Sequence, residues 1–201
     1  HDMRPDPVQA IKTVNMALLQ GHTVRVADAD NRLGWADGCP QGYVLVPEPD
    51  RPRSESEQPL VQVTWKTPGP EPVLTLHPRC LVAGVGCNTK TSSSEIMDLI
   101  QATFAYHHLA LASLQCLVTT SKKAEEPGLQ QTAADLGLDL VCIPHQILNT
   151  MPVPTPSETV RKHMGVPSVC EATALVHTHQ GRLLVPKTKS QNATLAVALH
   201  P

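Results

Sequence analysis

Short and long apolar segments alternate between residues 80 and 143, and this alternation constrains the fold more than any other feature of the sequence. Short segments rich in Val and Leu fit buried strands, whereas longer segments with apolar residues three and four positions apart fit helices. In chain order they are a strand at 80–85, a helix opened by the capping box Ser92 to Glu95, a strand at 114–119, a helix at 125–136 ended by Gly137, and a strand at 138–143. This order is typical of parallel strands joined by helical crossovers.

The end of the chain adds shorter elements. Helical pieces are predicted at 157–164 and 168–176, and strands at 182–185 and 193–199 are predicted to form an antiparallel hairpin because the loop between them is short. A hairpin beside parallel strands gives a mixed sheet. We therefore predict that residues 77–201 form an α/β domain, with a mixed sheet flanked by helices.

Residues 1–76 contain more turn residues and shorter elements. A helix is predicted at 6–21, with Asp6 as its N-cap and Pro7 at its first position, and strands are predicted at 23–27, 43–46 and 60–66. The segment at 47–59 is polar and proline-rich, so we expect a loop whose residues 48–58 are more mobile than the flanking strands. The first part of the chain is predicted to be a small, loop-rich α/β module.

Composition excludes several classes of function. Aromatic residues make up 2% of the 201 residues, which leaves few stacking platforms for single-stranded nucleic acid. The 16 Lys and Arg residues against 18 Asp and Glu residues give a net charge of −2, so no basic field attracts nucleic acid or an anionic membrane. The six cysteines have no C-x-x-C spacing and are expected to be reduced thiols. Without a signal peptide or a segment of about 18 apolar residues, we expect a cytoplasmic protein.

The segment at 84–91 reads G-V-G-C-N-T-K-T and is close to the phosphate-loop pattern G-x-x-x-x-G-K-[S/T]. Thr89 stands where the second glycine must let the backbone approach a phosphate, and the later strands do not end in a carboxylate for magnesium. A nucleotide site is therefore disfavoured. Exposed glycine amides, a helix N-terminus and Lys90 would still suit a carboxylate. A tight strand-to-helix turn with Lys90 in solvent is an equally good interpretation.

Four segments, in this order and at this spacing, carry a family resemblance: VAGVGCNTKTSSSEI, TTSKKAEEPGLQQTAADLG, GVPSVCEATAL and LLVPKTKSQNATLAVA. They resemble the carboxy-terminal domain shared by the cobalamin-biosynthesis families CbiG and CobE, and residues 1–76 resemble the central region of CbiG. The resemblance implies a cobalt-containing tetrapyrrole intermediate as ligand, with the cobalt carried by the substrate and no cofactor bound by the protein. Other enzymes of the corrin pathway are expected as partners.

Two functions follow from this resemblance. The CbiG family acts in the anaerobic corrin pathway, where it opens the lactone ring of cobalt-precorrin-5A and releases acetaldehyde. The alternative is a non-catalytic corrinoid-binding or carrier module of the CobE kind. The amino-terminal domain of the CbiG family has no counterpart in this chain, so the resemblance leaves open whether the chain is active alone.

The matching motifs also imply which residues bind the substrate. The family commonly has two basic residues after the cysteine of the first motif, whereas this chain has one, Lys90. The predicted substrate-binding residues are Gly84, Gly86, Cys87, Asn88, Lys90, Thr91, Ser92, Lys187, Lys189 and Asn192.

Glu171 is the candidate base for lactone opening and carbon–carbon cleavage. Its position in the first turn of a helix opened by Ser168 favours a second interpretation, in which it completes the helix cap. Lys187 and Lys189 are expected in the connection of the terminal hairpin, where they would contact a ligand or solvent. 

Cysteine and histidine side chains offer two further candidate sites, a reactive thiol and a metal site. Cys87 lies beside a helix N-terminus and Lys90, which would lower a thiol pKa, but a structural role is favoured. His177 and His179 would face the same side of an extended segment, yet the sequence offers no third ligand nearby. We therefore predict no protein-bound metal.

Overall fold

The structure, a computed structural model, describes residues 2–47, 58–69, 74–148, 153–155, 168–179 and 181–201. The loop predicted to be mobile at 48–58 lies outside these residues except for Gln58, and the helical piece predicted at 157–164 lies outside them entirely. The chain divides into two compact units. The first comprises His1–Arg79 with His108–Ser113, and the second comprises Cys80–His107 with Leu114–Pro201.

The first unit is a five-stranded mixed sheet. Its strands lie in the order β1-β5-β4-β2-β3, in which β2 to β5 are parallel and β1 is antiparallel to β5. The elements are β1 (Met3–Asp6), α1 (Ala10–Leu19), β2 (Val24–Ala27), β3 (Tyr43–Val46), β4 (Leu60–Val63) and β5 (Leu74–Pro78). Buried aliphatic side chains of α1, β2, β4 and β5 form the core of this unit.

The start of the first helix was predicted wrongly. Asp6 does not cap α1 but ends β1, where it pairs with Thr75, and the helix begins at Ala10 after Gln9. Asp6 lies too far before the first helical residue to cap it, so the local Asp-Pro signal was overridden by pairing with β5. Strand β5 was not predicted at all, although it joins β1 to β4.

The second unit contains the predicted mixed sheet flanked by helices, so this fold class is confirmed. Its strands lie in the order β8-β7-β6-β10-β9, with β6, β7 and β8 parallel and β10 antiparallel to both β6 and β9. The elements are β6 (Leu81–Cys87), α2 (Ser93–Tyr106), β7 (Leu114–Thr120), α3 (Pro127–Leu136), β8 (Asp139–Ile143), α4 (His145–Leu148), α5 (Val169–His177), β9 (Arg182–Lys189) and β10 (Ala193–Leu199).

Strand β9 is four residues longer than predicted. Lys187 and Lys189 therefore lie in the strand and not in the hairpin connection, which consists of residues 190–192. Pro186 suggested an earlier end because proline cannot donate to a ladder. Since β9 is the edge strand of the sheet, one side of its backbone needs no strand partner, and proline is tolerated there.

Helices α5 and α2 cover opposite faces of this sheet. A Cβ atom at Gly84 would lie 1.9 Å from the Cys170 carbonyl oxygen, so α5 packs directly on the backbone of β6. On the other face, the Thr103 hydroxyl of α2 lies 3.3 Å from the Thr188 hydroxyl of β9. Among the described residues, the structure contains no helix with the length and apolarity needed to cross a membrane.

Candidate functional site

The parallel strands β6, β7 and β8 end at one edge of the second unit's sheet, which we call the carboxyl edge. Three connections meet there: the loop at 88–92 after β6, the turn at 121–126 after β7, and the hairpin turn at 190–192 between β9 and β10. The sheet changes from parallel to antiparallel pairing between β6 and β10. Ligands of open α/β sheets commonly bind at such an edge, where the chain diverges to either side.

The 88–92 loop is bonded to the hairpin turn through the backbone and side chain of Asn88. The Asn88 amide donates to the Asn192 carbonyl at 2.9 Å, and the two side-chain amides bond at 3.2 Å. Thr91 is buried, and its hydroxyl donates to the Asn88 carbonyl at 2.9 Å. These contacts bring together Asn88, Thr91 and Asn192, three of the predicted site residues, from positions about a hundred residues apart.

Glu95 of α2 also binds the hairpin turn. The predicted capping box is half formed, because the Ser92 hydroxyl accepts from the Glu95 amide at 3.2 Å. The Glu95 carboxylate instead accepts from the Ser190 hydroxyl at 2.5 Å and from the Asn192 amide at 2.6 Å. These donors, led by Ser190, lower the pKa of Glu95 below its ordinary value.

The position expected for a ligand carboxylate in the 88–92 loop is occupied by Glu126. Lys90 adopts φ 64°, and its amide donates to Glu126 Oε2 at 3.1 Å. Lys123 Nζ lies 2.8 Å from Glu126 Oε1 and 3.3 Å from the Thr89 hydroxyl, and its hydrogen bond is the main reason that the pKa of Glu126 is lowered. In this structure the Lys90 amide of the loop therefore binds a carboxylate of the chain itself, and the binding of substrate by this loop stays a prediction.

Three predicted site residues of β6 do not form an open cradle. Gly84 and Gly86 are buried strand residues that pair with β10, and a Cβ atom at Gly86 would lie 2.7 Å from the Thr194 hydroxyl oxygen. Both positions need glycine because neighbouring residues pack where a Cβ atom would lie. Cys87 ends the strand half-buried, and burial raises its pKa to about 11, so its thiol is protonated at neutral pH.

Glu171 is fully buried in the first turn of α5 and does not cap that helix. Its carboxylate accepts from the Thr155 hydroxyl at 2.6 Å, the Thr155 amide at 3.2 Å and the Lys187 amide at 3.0 Å. Lys187 Nζ in turn donates to the Thr155 carbonyl at 2.9 Å. Both Glu171 oxygens are therefore used to join α5, β9 and residue 155, which argues against the helix-cap interpretation.

The lysines of the second unit are concentrated at the carboxyl edge. Of those that the structure describes, Lys90, Lys122 and Lys189 are exposed, whereas Lys123 and Lys187 are half-buried and hydrogen-bonded as described above. Lys189 reaches this edge because β9 runs in the same direction as β6 and pairs Lys189 with Thr194, which itself pairs with Gly86. The edge thus presents cations from two connections and from the end of β9.

The predicted histidine pair lies at the other end of α5. His177 Nε2 lies 3.3 Å from Cys116 Sγ, and burial lowers the pKa of His177. His179 makes an edge-on contact with the His200 ring, with centroids 6.3 Å apart. Within the described ranges, no three His, Cys, Asp or Glu side chains are placed to hold a metal ion.

Sequence reasoning missed the two residues that organise this edge most strongly. Glu95 was assigned only to a helix cap, and Thr155 was not considered. The available signal was weak in both cases, because a capping-box glutamate looks the same whether it bonds its own helix or a distant turn.

Comparison with known proteins gives three related matches. The family model described as "Cobalamin synthesis G C-terminus" (CbiG) matches residues 81–198. The chain is 36% identical over 125 residues to a cobalt-precorrin-5A hydrolase of Priestia megaterium, covering 62% of this chain and 33% of that protein. It is 27% identical over 197 residues to a cobalt-precorrin-5A hydrolase of Salmonella typhimurium, covering 94% of this chain and 55% of that protein. The chain therefore spans between a third and about half of the lengths of these two relatives.

Solved structures are similar as well. The structure of CobE, a protein from the cobalamin (vitamin B12) biosynthetic pathway, matches with a TM-score of 0.57 and 31% identity, covering 61% of this chain and 91% of CobE. A cobalamin biosynthesis protein G homolog from Sulfolobus solfataricus matches with a TM-score of 0.52 and 17% identity, covering 99% of this chain and 57% of that one. The second match supports the fold alone.

Proposed function

The chain belongs to the family of the cobalamin synthesis G C-terminus, and from this premise we propose that its second unit binds a cobalt-containing tetrapyrrole intermediate at the carboxyl edge. The cobalt is carried by the substrate. In this proposal the chain is the substrate-binding part of a cobalt-precorrin-5A hydrolase, an activity named for relatives that are longer than this chain. Opening of the lactone and release of acetaldehyde belong to the complete protein.

The observation that carries the proposal is the concentration of lysines at one edge of the sheet. Intermediates of this type carry acetate and propionate arms around their rim, so they need several separated donors and not one deep phosphate cradle. Lys90 and Lys122 come from two different connections, Lys189 is the last residue of β9, and all three are exposed. Lys187 no longer belongs to this set, because its ammonium group bonds the Thr155 carbonyl.

The geometry favours a structural role for Glu171 over a catalytic one. A general base must reach the proton that it abstracts, directly or through one water molecule. The carboxylate of Glu171 is buried and already accepts three hydrogen bonds. This supports a structural role within the binding unit and leaves the base to another part of the complete hydrolase.

A second candidate function is a non-catalytic corrinoid-binding or carrier module. It is favoured by the match to CobE, of which 91% is covered by this chain. Transfer of the corrinoid to other enzymes of the pathway would then be its task. The two candidates share the ligand and differ in chemistry.

Binding is tested by titrating the chain with dicyanocobyrinic acid, a cobalt corrinoid with free carboxylates, and with its methyl ester. We expect Lys90→Ala and Lys189→Ala each to weaken binding of the acid about fivefold, since an exposed ion pair contributes up to about 1 kcal/mol. Binding of the ester should change less. Lys12→Ala is the matched control, because Lys12 is an exposed lysine of the first unit.

The binding proposal fails if neither lysine variant differs from the Lys12 control. Tight magnesium-dependent ATP binding that Lys90→Ala abolishes, with corrinoid binding unchanged, would instead identify the 88–92 loop as a nucleotide site. The choice between hydrolase and carrier requires an acetaldehyde assay with the lactone precursor. Release by a full-length family member but not by this chain would assign this chain to binding.

A further inference from the structure

One row of residues crosses all five strands of the second unit on the face that α5 covers, at the carboxyl edge. The ladder pairs Lys189 with Thr194, Thr194 with Gly86, and Thr120 with Ile143. Gly84 pairs with Val118, and extending this parallel register by two residues sets Thr120 beside Gly86. Side chains alternate along a strand, so all members of the row point to the same face.

The position of α5 identifies this face. A Cβ atom at Gly84 would meet the Cys170 carbonyl, and one at Gly86 would lie 3.5 Å from Val169 Cβ, so the first turn of α5 lies above these glycines. Thr120 has extended backbone angles of φ −83° and ψ 148°, which keep its side chain in phase with Val118. Its hydroxyl therefore points towards the N-terminal end of α5.

Thr120 is a buried polar group without a partner. Its exposed fraction is 0%, and Oγ1 makes no hydrogen bond to any residue that the structure describes. A buried hydroxyl left unpaired costs free energy, so such groups are uncommon and need a reason. The neighbouring Thr119 provides a contrast, because its hydroxyl donates to the Val85 carbonyl at 2.8 Å.

The N-terminus of α5 adds donors at the same place. The first amides of a helix have no acceptor within the helix and carry partial positive charge. Ser168, the N-cap residue, is buried, but its side chain makes no capping hydrogen bond; its hydroxyl lies 3.6 Å from Cys170 Sγ. The usual side-chain acceptor for these amides is therefore directed elsewhere.

We propose that Thr120 and the N-terminus of α5 form a second carboxylate site, on the face of the sheet that α5 covers. The hydroxyl of Thr120 donates to one carboxylate oxygen, and the first amides of α5 donate to the other. An acetate or propionate arm of the tetrapyrrole occupies this site, an identification of the ligand that rests on the proposed function. The exposed lysines of the carboxyl edge, Lys90 among them, serve a different arm.

Glu171 is the acidic residue of α5 nearest to this site. Its hydrogen bonds hold its carboxylate away from Thr120. Its carboxylate is held by the Lys187 amide of β9 and by Thr155. Strands β9 and β7 are three positions apart in the sheet, a separation of about 14 Å at the usual strand spacing. The Glu171 charge therefore lies over the far edge of the sheet from Thr120.

The experiment is a titration of the isotope-labelled chain with sodium propionate, followed by the amide signals of Val169 and Cys170. Sodium chloride at equal ionic strength and n-propanol serve as controls for salt and for the apolar part of the probe. We expect propionate alone to shift these signals. Thr120→Val should weaken the effect about tenfold, which is the contribution expected of a hydrogen bond to a charged group. Thr120→Ser, which keeps the hydroxyl, should retain binding.

The free energy of unfolding of two threonine variants distinguishes a ligand site at Thr120 from an ordinary buried threonine. Thr120→Val should not lower the free energy of unfolding, because the hydroxyl has no partner to lose. Thr119→Val should lower it, because a buried hydrogen bond is lost, and should leave propionate binding unchanged. Unmoved amide signals in the unmodified chain, or equal propionate affinity in Thr120→Val, would overturn the proposal.

The same titration with dicyanocobyrinic acid distinguishes this inference from the proposed function. Corrinoid binding without a shift at Val169 and Cys170 would leave the proposed function standing and overturn the second site. A propionate shift without corrinoid binding would uphold a carboxylate site and overturn the proposed ligand.

Discussion

At the scale of single residues, the carboxyl edge is organised by carboxylates that the chain satisfies with its own donors. Glu95, Glu126 and Glu171 each accept at least two hydrogen bonds, mostly from residues distant in sequence. Hydrogen bonds to charged groups are stronger than neutral ones, and losing one partner of a buried set leaves the others unpaired. These three residues therefore position the connections around the edge.

Glu171→Ala should strongly destabilise the second unit. The change leaves the Thr155 hydroxyl and the Lys187 amide without their acceptor, and we expect the free energy of unfolding to fall by about 3 kcal/mol. Glu171→Gln keeps one acceptor oxygen and should cost less. Urea denaturation measures both, with the exposed Glu125→Ala as control. Unchanged stability in Glu171→Gln together with lost acetaldehyde release by the complete protein would instead support a catalytic role.

At the scale of elements, the packing of α5 on β6 depends on a position without a side chain. A Cβ atom at Gly84 would lie 1.9 Å from the Cys170 carbonyl oxygen, a distance that requires the helix to move. Gly84→Ala should therefore lower the free energy of unfolding by about 2 kcal/mol or more, as overpacking does in cores. Gly69→Ala is the matched control, because nothing lies within 4 Å of its added Cβ. Equal unfolding midpoints of the two variants in urea would contradict this packing.

The hairpin turn between β9 and β10 should loosen in acid. The pKa of Glu95 is lowered in the folded protein by Ser190 and then Asn192, so its contribution to stability is present above the unfolded pKa of about 4.3 and is lost as the pH falls through the lower folded value. Glu126 follows the same direction through Lys123. The amide signal of Asn192, which donates to Glu95, should titrate with a midpoint below about 4.3. A midpoint at or above that value, or an unchanged titration in Glu95→Gln, would show that Glu95 does not hold the turn.

At the scale of the whole molecule, the two units are not simply consecutive in the chain. Residues 108–113 belong to the first unit although they lie between α2 and β7 of the second. The Ala110 amide donates to the Trp65 carbonyl at 2.9 Å, and the Thr67 amide donates to the His108 carbonyl at 2.9 Å. The crossover from α2 to β7 thus adds backbone hydrogen bonds to the first unit.

Hydrogen exchange in low urea should show that residues 108–113 belong to the first unit. We expect the first unit to open before the second, because its strands have only four or five residues whereas β6, β7 and β10 each have seven. The Ala110 amide should then lose protection together with β4 and β5, and not with its sequence neighbours in α2 and β7. Loss of protection in step with α2 would contradict the assignment.

Much of the fold was predictable because its signals are local. The alternation of strands and helices at 80–143, the serine cap of α2, the αL residue Gly137 after α3 and the terminal hairpin all follow from patterns within a few residues. The family resemblance was confirmed on the same segments. The error at Asp6 concerns a strand that pairs with the distant β5, whereas the error at the end of β9 concerns a proline that an edge strand tolerates.

The sequence by itself determined the order of strands and helices between residues 80 and 143, the mixed character of the second sheet and the family, since periodicity, caps and motif spacing are local properties of the chain. Only the tertiary structure decided how the polar groups are used: that Glu126 fills the loop of Lys90, that Glu95 holds Asn192, and that Thr120 is buried without a partner. The physical reason is that a hydrogen bond joins groups by distance in space. Glu95 and Asn192 are 97 residues apart, and no local pattern specifies that they meet.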